Sequence, residues 1–112
     1  MFPDAIAMGG YPIDIHSPDG ETMVHRYLKS GSWYSVPYRC TITNKIDNLL
    51  VTGRCISTTH EACAAVRVTP IVMAVSQGVG TAAALVAAMN TSVQKVDTDL
   101  LRKQLKDDVV FL

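Results

Sequence analysis

"PIVMAVSQGVGTAAALVAAM", residues 70 to 89, decides how the rest of the chain is read. Its length matches the roughly 20 residues needed to cross a bilayer. Yet Ser76, Gln77, Gly78, Gly80 and Thr81 interrupt it, and neither end carries a basic cluster or an aromatic belt. It reads as a helix buried in protein. Thr69 and Pro70 mark its start, since a hydroxyl can cap free amides and proline suits the first helical position. Asn90, Thr91 and Ser92 mark its end. At about 100° per residue the helix is apolar nearly all round, which predicts burial on several sides. Val72, Val75, Val79 and Val86 form a bulky ridge. Ser76, Gly80, Ala83 and Ala87 form a shallow groove, and Ala74, Gly78 and Ala82 a second small stripe. Each internal glycine costs about 1 kcal/mol against alanine. Close approach of another backbone, or of a ligand, is what makes such a cost tolerable.

Downstream, "DTDLLRKQLKDD" (97–108) predicts an amphipathic helix with Leu101 and Leu105 on one face, and "VVFL" (109–112) a last strand or a docked tail. Upstream, "EACAAV" (61–66) predicts a short helix, and "LLVTG" (49–53) a compact strand buried on both faces. The first half reads as short extended pieces. "YPIDIH" (11–16), "ETMVHRYL" (21–28) and "SWYSVPYRCTI" (32–42) are the expected strands, with "SPDGE" (17–21) a turn and "KSGS" (29–32) the tip joining the last two. The expected fold class is an α/β or α+β arrangement: short strands, one buried strand, a long buried helix, then an amphipathic C-terminal helix. Nothing marks a domain boundary, so residues 1–112 form one unit.

With 48% hydrophobic and 18% charged residues the composition is that of a globular chain. Ten basic and ten acidic residues cancel, and no basic stripe is present, which argues against nucleic acid as a partner. Cys40, Cys55 and Cys63, an odd number, favour a reducing, cytoplasmic setting. With His60 they would make a Cys₃His zinc set, but the Cys-x-x-Cys knuckle is missing, so no metal is expected.

Taken in order, "GGYPIDIHSPDG", "YSVPYRC", "IDNLLVTGRCISTTHEACAAVRVTP" and "GVGTAAALVAAM" resemble the C-terminal part of bacterial FAD-dependent oxidoreductases. These have a glutathione-reductase-like flavin domain and are grouped loosely as pyridine nucleotide-disulfide oxidoreductases or xanthan lyase-like proteins. The resemblance runs from about Asp4 to the C-terminus and is densest from Ile46 to Val86. Such families open with a Gly-x-Gly-x-x-Gly strand-turn-helix that holds the FAD pyrophosphate. This chain has none, because "GVG" at 78–80 sits inside a helix. The resemblance therefore implies a C-terminal fragment, part of an FAD/NAD(P)-binding domain lacking its dinucleotide half. The partner implied is the missing N-terminal FAD-binding portion. FAD belongs to the intact parent, and the isolated chain is expected to hold little of it and to be inactive. The alternative is a self-associating structural module without cofactor, a homo-oligomer.

The resemblance also implies roles. Gly53 would let backbone come close to the cofactor. Arg54 would offer a planar fork of donors to phosphate, or else stand in a surface ion pair. The amides of Val68 and Thr69, at the start of the long helix, would meet the negative charge of a reduced flavin, each such contact worth about 0.3–1 kcal/mol. Arg67 and His60 would lie beside them. His60 would serve as an acid or base, or hold an anionic substrate with Arg67, or simply cap a turn. Asp14 and His16 are assigned no catalytic role.

Overall fold

Residues 5 to 9, Ala-Ile-Ala-Met-Gly, carry little intrinsic preference for extended structure, because alanine and glycine are depleted in strands. They nonetheless form β1 (Ala5–Gly9). Tertiary packing decides this. Ala5, Ile6 and Ala7 are all but fully buried, and β1 pairs antiparallel with β4 (Tyr34–Pro37) through Ala7↔Val36, Met8↔Ser35 and Gly9↔Tyr34, with a bulge between Ala5 and Ala7. The structure, a computed structural model, describes residues 1–16, 19–20 and 23–112.

Between β1 and β4 the chain makes a second antiparallel pair, β2 (Ile13–His16) with β3 (Met23–Arg26), in the register Asp14↔His25 and Ile15↔Val24. The strands expected around 11–16, 21–28 and 32–42 are therefore present, but their pairing differs. β3 and β4 do not form a hairpin about 29–32. That segment is a turn, with Ser32 N–H donating to the Lys29 carbonyl at 2.9 Å and Gly31 at φ 76°, and it hands the chain from one two-stranded sheet to the other. The expected turn at 17–21 rests mainly on residues outside those described.

After β4 come a 3₁₀ turn (Tyr38–Thr41), an irregular segment, a second 3₁₀ turn (Gly53–Cys55), α1 (His60–Val66), α2 (Thr69–Met89), a 3₁₀ turn (Val93–Lys95) and α3 (Thr98–Asp107). The fold is mixed α and β, with short strands first, a long helix and an amphipathic C-terminal helix. Residues 49–53 are a correction: no strand forms there. Leu49 is 39% exposed, and the contact with the rest of the sheet region is one antiparallel bridge, Ile42↔Leu50, with Val51 N–H donating to Thr41 at 2.8 Å. With this single bridge the run has no flanking strands to join, and Leu50 and Val51 pack against the edge of the core instead.

α2 begins at Thr69 with Pro70 in its first turn, but Val68 occupies the N-cap position and no side chain caps the helix. The Thr69 hydroxyl thus does not perform the expected capping. Asn90 ends α2 in the left-handed conformation (φ 49°, ψ 49°), its N–H returning to the Val86 carbonyl. Burial of α2 is one-sided within this chain. Ile71, Val75, Gly78, Val79 and Ala82 are buried, whereas Met73, Gly80, Ala83, Ala84, Ala87 and Ala88 are exposed. α2 is long and apolar enough to cross a membrane, and 28% of its apolar window is buried here.

The buried face lies on β1. A Cβ added at Gly78 would stand 2.9 Å from Ile6 Cβ and 3.1 Å from the Ile6 carbonyl oxygen, so the helix backbone is almost in contact with the strand. Close approach of another backbone accounts for this glycine; at Gly80 nothing lies within 4 Å. α3, capped by Asp97, whose carboxylate accepts from Asp99 and Leu100 amides at 3.0 and 3.1 Å, buries Leu101 and Leu105 completely against the same core. Arg102 donates to the Ala5 carbonyl at 2.8 Å, tying α3 to β1. The tail 109–112 is docked and not a strand, with Val110 and Leu112 on the core and Phe111 edge-on to Trp33 at 5.6 Å.

Tyr38 is buried and donates to the Val93 carbonyl at 2.8 Å, joining the turn after β4 to the turn after α2. Burial pushes its ionisation up to about 12. The folded state then keeps a proton that the unfolded chain releases above about pH 10, so stability falls as pH rises through that window.

Two predictions follow from this packing. Gly78→Leu lowers stability by about 1–3 kcal/mol through overpacking, while Gly80→Ala raises it by up to about 1 kcal/mol; urea unfolding midpoints measure both. Tyr38→Phe costs about 1–3 kcal/mol at neutral pH by orphaning the Val93 carbonyl, and flattens the fall in thermal midpoint between pH 10 and 12.

Candidate functional site

The residues expected around a cofactor fall into three places. Gly53 and Arg54 form the start of the second 3₁₀ turn, with Gly53 at φ 73°, a conformation side chains disfavour. Beside them the Thr52 and Ser76 hydroxyls meet at 2.7 Å, which sets this turn against the middle of α2. Ser76 lies seven residues into the helix, about 10 Å along its axis from Thr69. Arg54 is exposed and has no ion pair or hydrogen bond among the described residues.

Val68 and Thr69 stand at the second place. The first amides of α2 have no partners within the helix, no side chain caps them, and no acidic residue sits in the first turn. Val68, Pro70 and Ile71 line a hollow of about 390 Å³, whose other side is Met8, Tyr11 and Trp33. Gly9 and Gly10, where β1 ends, complete it. The alanine- and glycine-rich sequence of β1 carries no local strand signal, so this wall has no mark in the sequence.

Arg67 and His60 meet at the third place. Arg67 closes α1 and donates from Nη2 to the Asp14 carbonyl at 3.1 Å, fastening α1 to β2. His60 is the first residue of α1. Capping falls to Thr59, whose hydroxyl accepts from Ala62 N–H, so the turn-capping role weighed for His60 is not seen. Both line a cleft of about 120 Å³ with Asp14, His16 and Cys63. Asp14 Oδ1 is buried without a hydrogen-bond partner, 3.4 Å from Nε2 of His16 and of His25, and Tyr11 donates to Oδ2 at 3.3 Å. A carboxylate so placed makes this cleft a poor simple anion site. Asp14 and His16, two residues apart, alternate onto one face of β2, and His25 joins them only through the β2–β3 pairing that sets it opposite Asp14.

A cavity of about 650 Å³ is lined by none of the expected cofactor residues. It lies between β4 and α1, and the polar loop 57–59 borders it. Tyr34 forms part of its wall and donates to the Ala65 carbonyl at 3.0 Å; burial pushes the tyrosine's ionisation up. Cys40, also on its wall, has its thiol pushed up by burial, against the opposing pull of the Arg39 charge. Cys55 is exposed, and all three cysteines are free thiols. Among the described residues, no three His, Cys, Asp or Glu side chains come together in a way that could hold a metal ion.

Against known proteins, a family model described as FAD dependent oxidoreductase matches residues 1–105. The chain belongs to this family. No curated protein and no solved structure matches it.

The contrast between thiols is measurable within this FAD dependent oxidoreductase chain. At neutral pH, iodoacetamide followed by peptide mass spectrometry should modify Cys55 severalfold faster than Cys40, because the exposed thiol is accessible and the half-buried one is held more firmly in its protonated form.

Proposed function

We propose that this chain is the ring-facing C-terminal portion of an FAD-dependent oxidoreductase, completed by a separate segment that carries the dinucleotide cradle. The observation that carries the reading is the start of α2. A helix of 21 residues opens without a side-chain cap or a first-turn acid beside a hollow walled by Met8, Tyr11 and Trp33. Free amides and the positive end of the helix dipole favour negative charge there.

The donor set fits one end of the cofactor. Val68, on the wall of the hollow at the helix start, suits an electron-rich ring edge, whereas Thr69 is exposed and off the wall; the aromatic and thioether walls suit a flat apolar ring. The nucleotide end has no counterpart, since the chain lacks a glycine-rich strand-turn-helix. When bound, FAD supplies the acceptance and release of electrons. The chain's own residues would seat the ring, exclude water with Trp33 and Met8, and offer amides to developing charge. Arg54 and Gly53, on the turn beside Ser76, do not line this hollow and hold no part of the ring. The exposed small-residue face of α2 is where the completing segment would lie.

Trp33 is the single tryptophan of the sequence, so intrinsic fluorescence reports on this hollow directly. Titrating the purified chain with lumiflavin and with FAD, corrected for flavin absorption, should quench Trp33 with affinities that agree within about threefold, since only the ring is held. Absence of quenching by either overturns the ring site. FAD co-purifying stoichiometrically, or binding ten times tighter than lumiflavin, overturns the missing cradle.

A further inference from the structure

The cavity between β4 and α1 is independent of the flavin reading and has a chemistry of its own. Its volume, about 650 Å³, lies within the roughly 300–1,000 Å³ of small-molecule sites. Its walls are apolar: Ile13, Tyr34 and Val36 from the strands, Ala62, Ala65 and Val66 from α1. Among the described residues, no aspartate or glutamate lines it, whereas two arginines do.

The two guanidiniums are not equivalent. Arg39 is already engaged, paired with the Asp4 carboxylate and lying over the Phe2 ring at 4.6 Å from its centroid. It builds the wall. Arg26, at the end of β3, has no ion pair or hydrogen bond among the described residues. The hydroxyls of Ser57 and Thr58 on the bordering loop are likewise without partners among the described residues, while the Thr59 hydroxyl is used in capping α1. Cys40 stays a neutral thiol, since burial pushes its ionisation up.

We propose that this cavity binds an amphipathic monocarboxylate, with its alkyl or aryl-alkyl body against Val36, Ala62, Ala65 and Val66 and its carboxylate on Arg26. Charge complementarity selects this occupant. An apolar body gains by leaving water for these walls, and a guanidinium unpaired among the described residues, with neighbouring hydroxyls, offers a carboxylate planar donors that no described acid fills. A neutral apolar ligand would leave Arg26 unanswered, and a cation would be repelled by it.

The test is calorimetric titration of the full 112-residue chain with decanoate, decanol and decyltrimethylammonium, each below its micelle concentration. Decanoate should bind one per chain, about three- to tenfold tighter than decanol, with decyltrimethylammonium weakest; the margin is modest because Arg26 is exposed. Raising salt should narrow the gap between decanoate and decanol. Arg26→Ala should bring decanoate down to the affinity of decanol and leave decanol unchanged, and Arg26→Lys should restore part of the difference. Ala65→Phe, which fills the cavity, should remove both. Circular dichroism checks each fold, and the two Arg26 variants alone decide the matter if Ala65→Phe does not fold. Equal binding of decanoate and decanol, no binding of either, or an unchanged decanoate affinity in Arg26→Ala each overturns the proposal. So does ligand uptake only by a dimer, read by sedimentation, because the cavity would then belong to an interface between copies.

Discussion

The contact of Gly78 with Ile6 is the constraint on which the remaining architecture depends. It lets α2 lie directly on β1, and β1 then has cover enough to exist despite its alanines. With β1 in place, β4 has a partner and α3 has a surface for Leu101 and Leu105. The hollow at the start of α2 follows from the same arrangement, because the end of β1 supplies its opposite wall. A side chain at Gly78 would push the helix from the strand and disturb all of these at once.

What can be read from residues alone divides along physical lines. The helices were legible because their information is local: Asp97 before a periodic leucine pattern, Pro70 in a first turn, Asn90 at a left-handed end. The positions of β2, β3 and β4 were legible for the same reason, through aromatic and β-branched residues bounded by turns. Their pairing was not. Neither β1, whose five residues become a strand only under α2, nor the partnership of Asp14 with His25 can be read without knowing which segments meet. The run at 49–53 shows the reverse failure, since apolar residues there lack a sheet to enter.

The candidate site divides likewise. The start of α2 was recognisable from Thr69 and Pro70, and family membership over residues 1–105 accords with the resemblance seen in its motifs. The walls of the hollow, Met8, Tyr11 and Trp33, come from segments distant in sequence and had no local mark. The radius of gyration, 15.0 Å, exceeds the roughly 13 Å usual for this length, which accords with the uncovered face of α2 and with the exposed Trp33, Met73 and Phe111.

The nesting of the β2–β3 pair between β1 and β4 also bears on the order in which the chain assembles. Bringing Gly9 to Tyr34 closes a long loop, and the entropy of that closure must be met before the strands reward it. A hairpin that zips up locally takes its residues out of the wandering segment, so the effective tether between β1 and β4 shortens. The inner pair would then act as a splint during folding, preparing the longer-range sheet that α2 finally clamps.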